Sequence, residues 1–146
     1  SHVGGVNLFG AVGGKNKLVE PRKRPLSSMS PTIVFDKEGK PFMALGTPSG
    51  TRILTCVMQT VLNVLEHDMP LWEAVAATRY HHQWSPEEIR IGPPYFSTEV
   101  EEKLKAMGHK INHKSLGCKI QAIQKQKDGT LLGVSDPREE GMSFGI

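Results

Sequence analysis

The chain has 146 residues, of which 38% are hydrophobic and 23% are charged. This composition is typical of a globular protein and excludes a disordered polar segment, and we expect one domain over residues 1–146. The net charge is +3, and aromatic residues amount to only 6%. Because nucleic-acid binding needs a basic face with aromatic platforms, we expect no nucleic-acid partner.

Residues 1–23 form a glycine-rich lead-in, in which Gly4-Gly5 and Gly13-Gly14 bracket a short apolar stretch. Such a segment cannot build a core of its own, since glycine contributes no side chain and loses the most backbone freedom on ordering. We therefore expect the lead-in to be irregular and to lie across another surface.

The clearest hairpin of the sequence lies between two hydroxyl-rich turns. The first turn contains Ser27 and Ser28, and the hairpin follows as a β-rich run at 32–36, turn residues at 37–40 and an apolar run at 41–47. The second turn, with Ser49 and Gly50, leads into a helical pattern. A hairpin brings both turns to the same end of a sheet, a place suited to holding a small anionic group.

The helical pattern after Thr51 has apolar residues at one-turn spacing, and we expect the buried face to consist of Leu54, Val57, Met58, Val61, Leu62 and Leu65. A second short helix is expected over 71–78, with Trp72, Val75 and Ala76 facing inward. The segment 79–84 reads as irregular. The expected helix after Ser97 has a capping serine and acidic residues in its first turn.

Strands are expected at 89–91, 110–114, 119–125 and 131–134, the last two joined by an Asp-Gly turn. Strands at both ends of the chain with helices between them predict a mixed α/β (α+β) fold of two or four layers.

Few residues outside the two turns suggest chemistry. Cys56 and Cys118 do not form a zinc or disulfide framework by number and spacing, and we expect buried or free thiols. His81 and His82 are neighbours that point in divergent directions, so we expect a packed pair beside Trp84 and no metal ion.

The two hydroxyl-rich turns each have an alternative interpretation. Ser27 and Ser28 could cap a turn instead of binding an anion. Ser49-Gly50 is either a plain strand-to-helix connection or a set of N–H donors at a helix start.

Four segments together resemble the C-terminal portion of the small subunit of γ-glutamyltranspeptidases. They are Arg24-Pro-Leu-Ser-Ser-Met-Ser-Pro-Thr-Ile-Val34, Gly46-Thr-Pro-Ser-Gly-Thr-Arg-Ile53, Arg79-Tyr-His-His-Gln-Trp84 and Ser135-Asp-Pro-Arg138. The resemblance implies an N-terminal nucleophile hydrolase fold with αββα layers, of which this chain is a truncated portion. It also implies a precursor that cleaves itself, and a threonine that attacks γ-glutamyl amides such as glutathione and passes the glutamyl group to water, an amino acid or a peptide without a cofactor.

Residue by residue, the resemblance implies that Ser27 and Ser28 bind the glutamyl α-carboxylate. Ser49 and Gly50 correspond to two family glycines whose N–H groups form the oxyanion hole, and Arg79 and Arg138 to arginines that support the site structurally. Ser49 departs from the family pattern, because it replaces the first of these glycines. Its N–H group is kept, but if the position requires positive φ, a serine carries a steric cost that distorts the oxyanion hole.

The family's threonine nucleophile would precede this chain, so the resemblance implies a fragment that is inactive alone. Its partner would be the remainder of the precursor, with a homo-oligomer of the fragment possible through exposed sheet edges, and its compartment periplasmic or extracellular. The alternative is a non-catalytic homologue or interaction module with a degraded oxyanion hole.

Overall fold

The computed structural model describes residues 2–145. Its elements run in the following order: β1 (Thr32–Phe35), β2 (Pro41–Gly46), α1 (Ile53–Leu65), α2 (Leu71–Ala76), β3 (Tyr80–Gln83), β4 (Glu88–Ile91), α3 (Thr98–Ala106), β5 (Ile111–His113), β6 (Gln121–Lys125) and β7 (Leu131–Ser135). Within residues 2–23, the regular structure of the lead-in is limited to the 3-10 turn Lys15–Lys17 and an isolated bridge between Val6 and Val12. The mixed α+β fold and both expected hairpins are confirmed.

The larger sheet is antiparallel, with strand order β1-β2-β6-β7. Its inner face contributes Met43, Leu45 and Ala122 to a core that α1 and α2 complete. Side chains alternate along a strand, so the neighbours of these residues lie on the opposite face.

The outer face of the larger sheet is apolar and largely exposed, although Ser143 of the C-terminal segment lies over Gly133. The strand register aligns Ile33, Ala44, Ile123 and Gly133 in one row across the four strands. Ile33 is 59% exposed and Ile123 is 41% exposed. A sheet with apolar residues on both faces belongs inside a sandwich, where a second sheet packs against its outer face.

The smaller sheet has the order β3-β4-β5, with β3 antiparallel and β5 parallel to β4. Its strand β3 was expected to be irregular, and that expectation is wrong. Gln59 of α1 donates from Nε2 to the Tyr80 carbonyl at 2.7 Å and accepts from the Tyr80 N–H at 3.1 Å, so β3 docks on the helix through a side-chain amide. The polar run Tyr-His-His-Gln has no apolar alternation that would indicate such a strand.

Helix α1 buries a different face from the one expected. The buried residues are Ile53, Cys56, Val57, Gln59, Thr60 and Val64, whereas most of the expected stripe is exposed, with Leu54 at 58% and Met58 at 52%. The helix is apolar on both faces, and periodicity alone cannot say which one meets the sheet. Buried Thr60 is tolerated because its hydroxyl donates to the Cys56 carbonyl at 3.0 Å.

Helices α2 and α3 agree more closely with the helices expected from the sequence. Helix α2 ends at Ala76 and buries Leu71, Ala74 and Val75, but Trp72 is 59% exposed, contrary to expectation. Helix α3 begins as expected, since the Ser97 hydroxyl accepts from the Val100 N–H at 3.4 Å. No helix in residues 2–145 has the length and apolar character that crossing a bilayer requires.

The expectation of free thiols at Cys56 and Cys118 is wrong, because the two residues form a disulfide across 62 positions of sequence. The segment between β5 and β6 folds back over the first turns of α1 and brings Cys118 against Cys56. Spacing along the chain contains no information about this approach, and a single pair of cysteines does not form a recognisable framework.

Candidate functional site

The connection between β2 and α1 presents two N–H groups at the start of a helix. Ser49 has φ of 127° and Gly50 of 58°, both in the region that favours glycine. A 3-10 turn over Gly50–Arg52 then runs into α1. Within residues 2–145 the N–H groups of Ser49 and Gly50 have no hydrogen-bond acceptor. Unpaired donors at a helix N-terminus, where positive partial charge collects, can stabilise an oxyanion.

Ser49, with its positive φ, packs against the segment that precedes β6 and is hydrogen-bonded to it. Its side chain is buried, and its hydroxyl donates to the Leu116 carbonyl. The same carbonyl accepts from Arg52 Nη1 at 3.2 Å. Gly117 has φ of 70°, and a Cβ there would lie 3.2 Å from Ser49 Oγ, so glycine is needed for the close approach.

The lead-in covers this turn with an aromatic ring. A Cβ placed on Gly50 would lie 2.4 Å from Cγ of Phe9, so only glycine fits beneath the ring. The Thr51 hydroxyl donates to the Phe9 carbonyl at 3.0 Å, and the Arg52 guanidinium lies 5.7 Å from the centre of the Phe9 ring. The lead-in therefore lies across another surface, as expected.

A cavity of about 200 Å³ lies beside the turn, between the lead-in and the smaller sheet. Arg52 and Arg90 both line it, and burial together with the charge of Arg90 lowers the pKa of Arg52. Burial lowers the pKa of His81, which favours its neutral form. In that form Nε2–H donates to Gln83 Oε1 at 2.7 Å, and Nδ1 accepts from the Thr55 hydroxyl at 2.9 Å.

The paired serines lie in an irregular segment before β1. Ser27 is exposed and its Oγ accepts from the Met29 N–H at 3.1 Å, while Ser28 is half-buried. Ser27 also lines a cavity together with Asn7 of the lead-in. No hydrogen bond in the described range joins these serines to the Ser49-Gly50 turn. The lead-in lies between the two, since Asn7 lines the serine cavity and Phe9 covers the turn.

Arg79 and Asp136 form a buried ion pair between the ends of two strands. Each is 1% exposed. Asp136 also accepts from the Ile120 N–H at 2.9 Å and from the Arg138 N–H at 3.1 Å. Burial alone would raise the pKa of Asp136, but the hydrogen bonds from Arg79 and Ile120 outweigh it, and the pKa lies below its usual value.

Arg138 binds backbone carbonyls with its whole guanidinium. Its Nη1 and Nη2 atoms donate to the carbonyls of Val75, Ala76 and Ala77 at 2.8–3.1 Å, at the C-terminal end of α2. Its Nε donates to the Pro93 carbonyl at 2.6 Å. A cation at a helix C-terminus satisfies the last carbonyls and complements the helix dipole.

The histidine pair is divided between two environments. His81 is buried, as described above, but His82 is exposed and meets His109 edge-on at 6.3 Å between ring centres. Trp84 is 78% exposed, so the expected packed pair beside it is wrong. No group of three metal-ligating side chains occurs within residues 2–145.

Three contributors to the site escaped the sequence reasoning: Phe9 over Gly50, the neutral His81 network, and the Leu116 carbonyl beside Ser49. The phenylalanine had a weak signal, because it is the one aromatic residue between two glycine pairs. The carbonyl had none, since backbone atoms do not show in a sequence pattern.

Comparison with solved structures defines the class of the fold. A γ-glutamyltranspeptidase from Pseudomonas nitroreducens, solved in complex with L-DON, superposes with a TM-score of 0.91 at 40% identity over all of this chain and 76% of its own. An enzyme of the same name from Helicobacter pylori gives 0.88 at 42% identity over 95% of this chain and 76% of its own. The fold is therefore of the N-terminal nucleophile hydrolase type, as the resemblance implied.

The sequence profile of the gamma-glutamyltranspeptidase family matches residues 1–146, and the chain belongs to that family. The glutathione hydrolase proenzyme of Escherichia coli is 46% identical over 90% of this chain, and that of Pseudomonas aeruginosa is 42% identical over 97%. The chain spans only about a quarter of these relatives, 22% and 26% of their lengths.

Proposed function

We propose that this chain supplies the substrate-receiving half of an enzyme that cleaves γ-glutamyl amides such as glutathione. The Ser49-Gly50 turn carries the proposal, because it presents two unpaired N–H donors at a helix start, and the chain is similar to glutathione hydrolase proenzymes. The attacking group would be a threonine from another part of the precursor, whose own α-amine serves as the base.

The Ser49 and Gly50 N–H groups would act when the threonine hydroxyl adds to the γ-amide carbonyl. That addition places negative charge on the former carbonyl oxygen, and fixed donors stabilise this charge without reorganising. Collapse of the intermediate expels the amine and leaves a γ-glutamyl ester, which water or an amino acid then cleaves through a second, similar oxyanion. The same two donors serve both steps.

Ser27 and Ser28 are proposed to bind the α-carboxylate of the glutamyl group. The Ser27 oxygen accepts from the Met29 N–H, which orients the hydroxyl and leaves its proton free to donate. Two hydroxyl donors on neighbouring residues suit the two oxygens of a carboxylate, with charge-assisted bonds that are stronger than neutral ones.

Arg79 and Arg138 are proposed to support the site without contacting the substrate. The Arg79–Asp136 pair fixes the start of β6 through the Ile120 N–H, and Arg138 fixes the end of α2. The Arg138 guanidinium is bound to protein atoms through all three nitrogens, and Arg79 is bound to Asp136 through Nη2 while its buried Nη1 has no partner within residues 2–145. Burial and these contacts support a structural role over a chemical one.

The proposed partner is the remainder of the precursor, which would cover the apolar outer face of the larger sheet at Ile33 and Ile123. Without that partner the isolated chain would be inactive and prone to form homo-oligomers through this face. We propose a periplasmic or extracellular location, supported by the Cys56–Cys118 disulfide, because disulfides persist in oxidising compartments.

Hydrolysis of a chromogenic γ-glutamyl anilide tests the proposal. The mature protein obtained from the full precursor should release the anilide, and residues 1–146 alone should release none above buffer. Turnover by the isolated chain would contradict the division of the site, and a cleaved precursor without turnover would contradict the enzymatic function.

A non-catalytic homologue is the second candidate, favoured by one observation. Ser49 is held at φ of 127°, where a serine is strained, in place of a family glycine. This candidate predicts a precursor that either does not cleave itself or has no transfer activity, and no gain when Ser49 is changed to glycine. A gain in turnover for Ser49→Gly would favour a functional but strained oxyanion hole.

A further inference from the structure

The segment 116–119 lies between β5 and β6 and holds one side of the Ser49-Gly50 turn, the proposed oxyanion turn. We call this segment the clamp. The Leu116 carbonyl accepts from the Ser49 hydroxyl and from Arg52, and the Lys119 N–H donates to the Thr47 hydroxyl at 2.6 Å. The three contacts are made by Thr47, Ser49 and Arg52, and so lie before, at and after the strained residue Ser49. Leu116 is 4% exposed, so its carbonyl lies away from competing water.

The clamp has one covalent anchor. Cys118 lies two residues after Leu116 and is bonded to Cys56 in the first turn of α1, immediately beyond the oxyanion turn. Gly117, between them, has the positive φ that the close approach to Ser49 requires. A short segment with a glycine at its centre is intrinsically mobile, so its position depends on what holds its ends.

We propose that the Cys56–Cys118 disulfide is a positioning element for the oxyanion donors of Ser49 and Gly50, and that cleaving it lowers turnover while leaving substrate affinity intact. This inference depends on the proposed function. The disulfide keeps the Leu116 carbonyl against the Ser49 hydroxyl, and that hydrogen bond offsets the strain of a serine at positive φ. Without the anchor, Ser49 relaxes and its N–H turns away from the developing charge.

A dithiol reductant gives a reversible form of this change. Dithiothreitol donates two electrons and two protons, the S–S bond breaks, Cys56 and Cys118 become thiols, and dithiothreitol becomes its cyclic disulfide. The effect should fall on kcat, because the oxyanion donors act in the transition state and Ser27 and Ser28 hold the substrate in the ground state as well.

The test uses the mature protein from the full precursor, oxidised, with Cys56→Ala and Cys118→Ala as separate variants. Each variant removes the same bond, so both should lower kcat by about tenfold and leave KM within about twofold, a loss consistent with donors displaced by a fraction of an ångström. Reduction of the wild-type protein should likewise lower kcat and leave KM nearly unchanged, and reoxidation should restore kcat. Lys114→Ala, whose exposed side chain lies just before the clamp, is the matched control and should retain wild-type kcat.

The Ser49→Gly background separates positioning from general stabilisation. Glycine adopts positive φ without strain, so the turn no longer depends on the Leu116 carbonyl, and loss of the disulfide should then change kcat by less than about twofold. An equal loss of kcat in both backgrounds, or a rise in KM alone, would overturn the inference.

Hydrogen exchange gives a readout that does not need activity. The amides of Arg52 and Ile53 donate to the carbonyls of Ser49 and Gly50, and they should exchange faster in Cys118→Ala than in the wild-type protein, while those of β6 stay protected. Unchanged exchange at these two amides would overturn the positioning role even in a protein without activity. Normal turnover by wild type without any effect of the cysteine variants would refute this inference and leave the proposed function standing.

Discussion

Replacing Asp136 by asparagine should destabilise the protein severely. The carboxylate is 1% exposed, pairs with Arg79 and accepts from the N–H groups of Ile120 and Arg138. Asparagine has nearly the same shape but no charge, so it leaves the Arg79 guanidinium buried without its counter-ion. Removing one partner of a buried pair costs about 3–5 kcal/mol, and the melting temperature should fall accordingly, by fewer degrees per kcal/mol the larger the unfolding unit is.

Thermal unfolding of the mature protein, followed by circular dichroism at neutral pH, measures this effect. Glu140→Gln removes one carboxylate from an exposed position nearby and is the matched control, with no expected shift. The double variant Arg79→Met/Asp136→Asn should be less destabilised than the sum of its single changes, because the fully buried Arg79 charge is removed together with its counter-ion. A melting temperature of Asp136→Asn equal to that of Glu140→Gln would refute this reasoning about the ion pair.

The pH dependence of the same variant follows from the lowered pKa of Asp136. A carboxyl group whose folded pKa lies below its unfolded value contributes stability above the unfolded pKa, and this contribution is lost as the pH falls through the folded pKa. The wild-type protein should therefore be much more stable than Asp136→Asn at neutral pH, and the difference should shrink under strongly acidic conditions. A difference that stays constant down to acid would show that proton uptake by Asp136 does not limit stability.

Three further results are expected. Changing Ser27 and Ser28 together to alanine in the mature enzyme should weaken transition-state binding of γ-glutamyl substrates by about 1–3 kcal/mol in kcat/KM, and unchanged kinetics would refute the carboxylate role. Gly50→Ala keeps the N–H donor but adds a Cβ beneath the lead-in ring, so kcat/KM should fall by at least about tenfold while precursor expression persists; normal kinetics would show that the ring does not fix the turn. In the isolated chain, the double change Ile33→Ser/Ile123→Ser should shift elution on size-exclusion chromatography toward the monomer, and an unchanged profile would place self-association elsewhere.

The hairpins were predictable because their signals are local. The alternation in β1 and β2, the Asp-Gly turn before β7 and the serine cap of α3 each depend on neighbouring residues, and the structure has each of them in place. Local signals of this kind do not depend on how the elements pack together.

The packing of α1 was not predictable in the same way. The helix is apolar on two faces, so exposed Leu54 and Met58 satisfy the one-turn spacing of a helical stripe as well as buried Ile53 and Cys56 do. Which face meets the sheet is decided by tertiary contacts, including the disulfide to Cys118. The exposed face of α1, with Leu54 and Met58, is therefore apolar, like the outer face of the larger sheet.

The family pattern names two residues of the candidate site, but it does not show the backbone atoms and side chains that surround them. Ser49 and Gly50 were named from the sequence, and the structure places them at positive φ at the start of a helix. Their surroundings, namely the Phe9 ring and the Leu116 carbonyl, come from segments distant along the chain. Long-range contacts of this kind arise from topology rather than from spacing.

Arg138 touches three parts of the protein that no strand pairing connects. It follows β7 of the larger sheet, binds the end of α2, and reaches the Pro93 carbonyl beyond β4 of the smaller sheet. The two sheets share no backbone ladder in the described range, so their relative orientation depends on a few side chains such as this one. A variant lacking the guanidinium would therefore keep both sheets folded while loosening the angle between them, and limited proteolysis near residues 92–96 would reveal the loss before any spectroscopic measure of secondary structure changed.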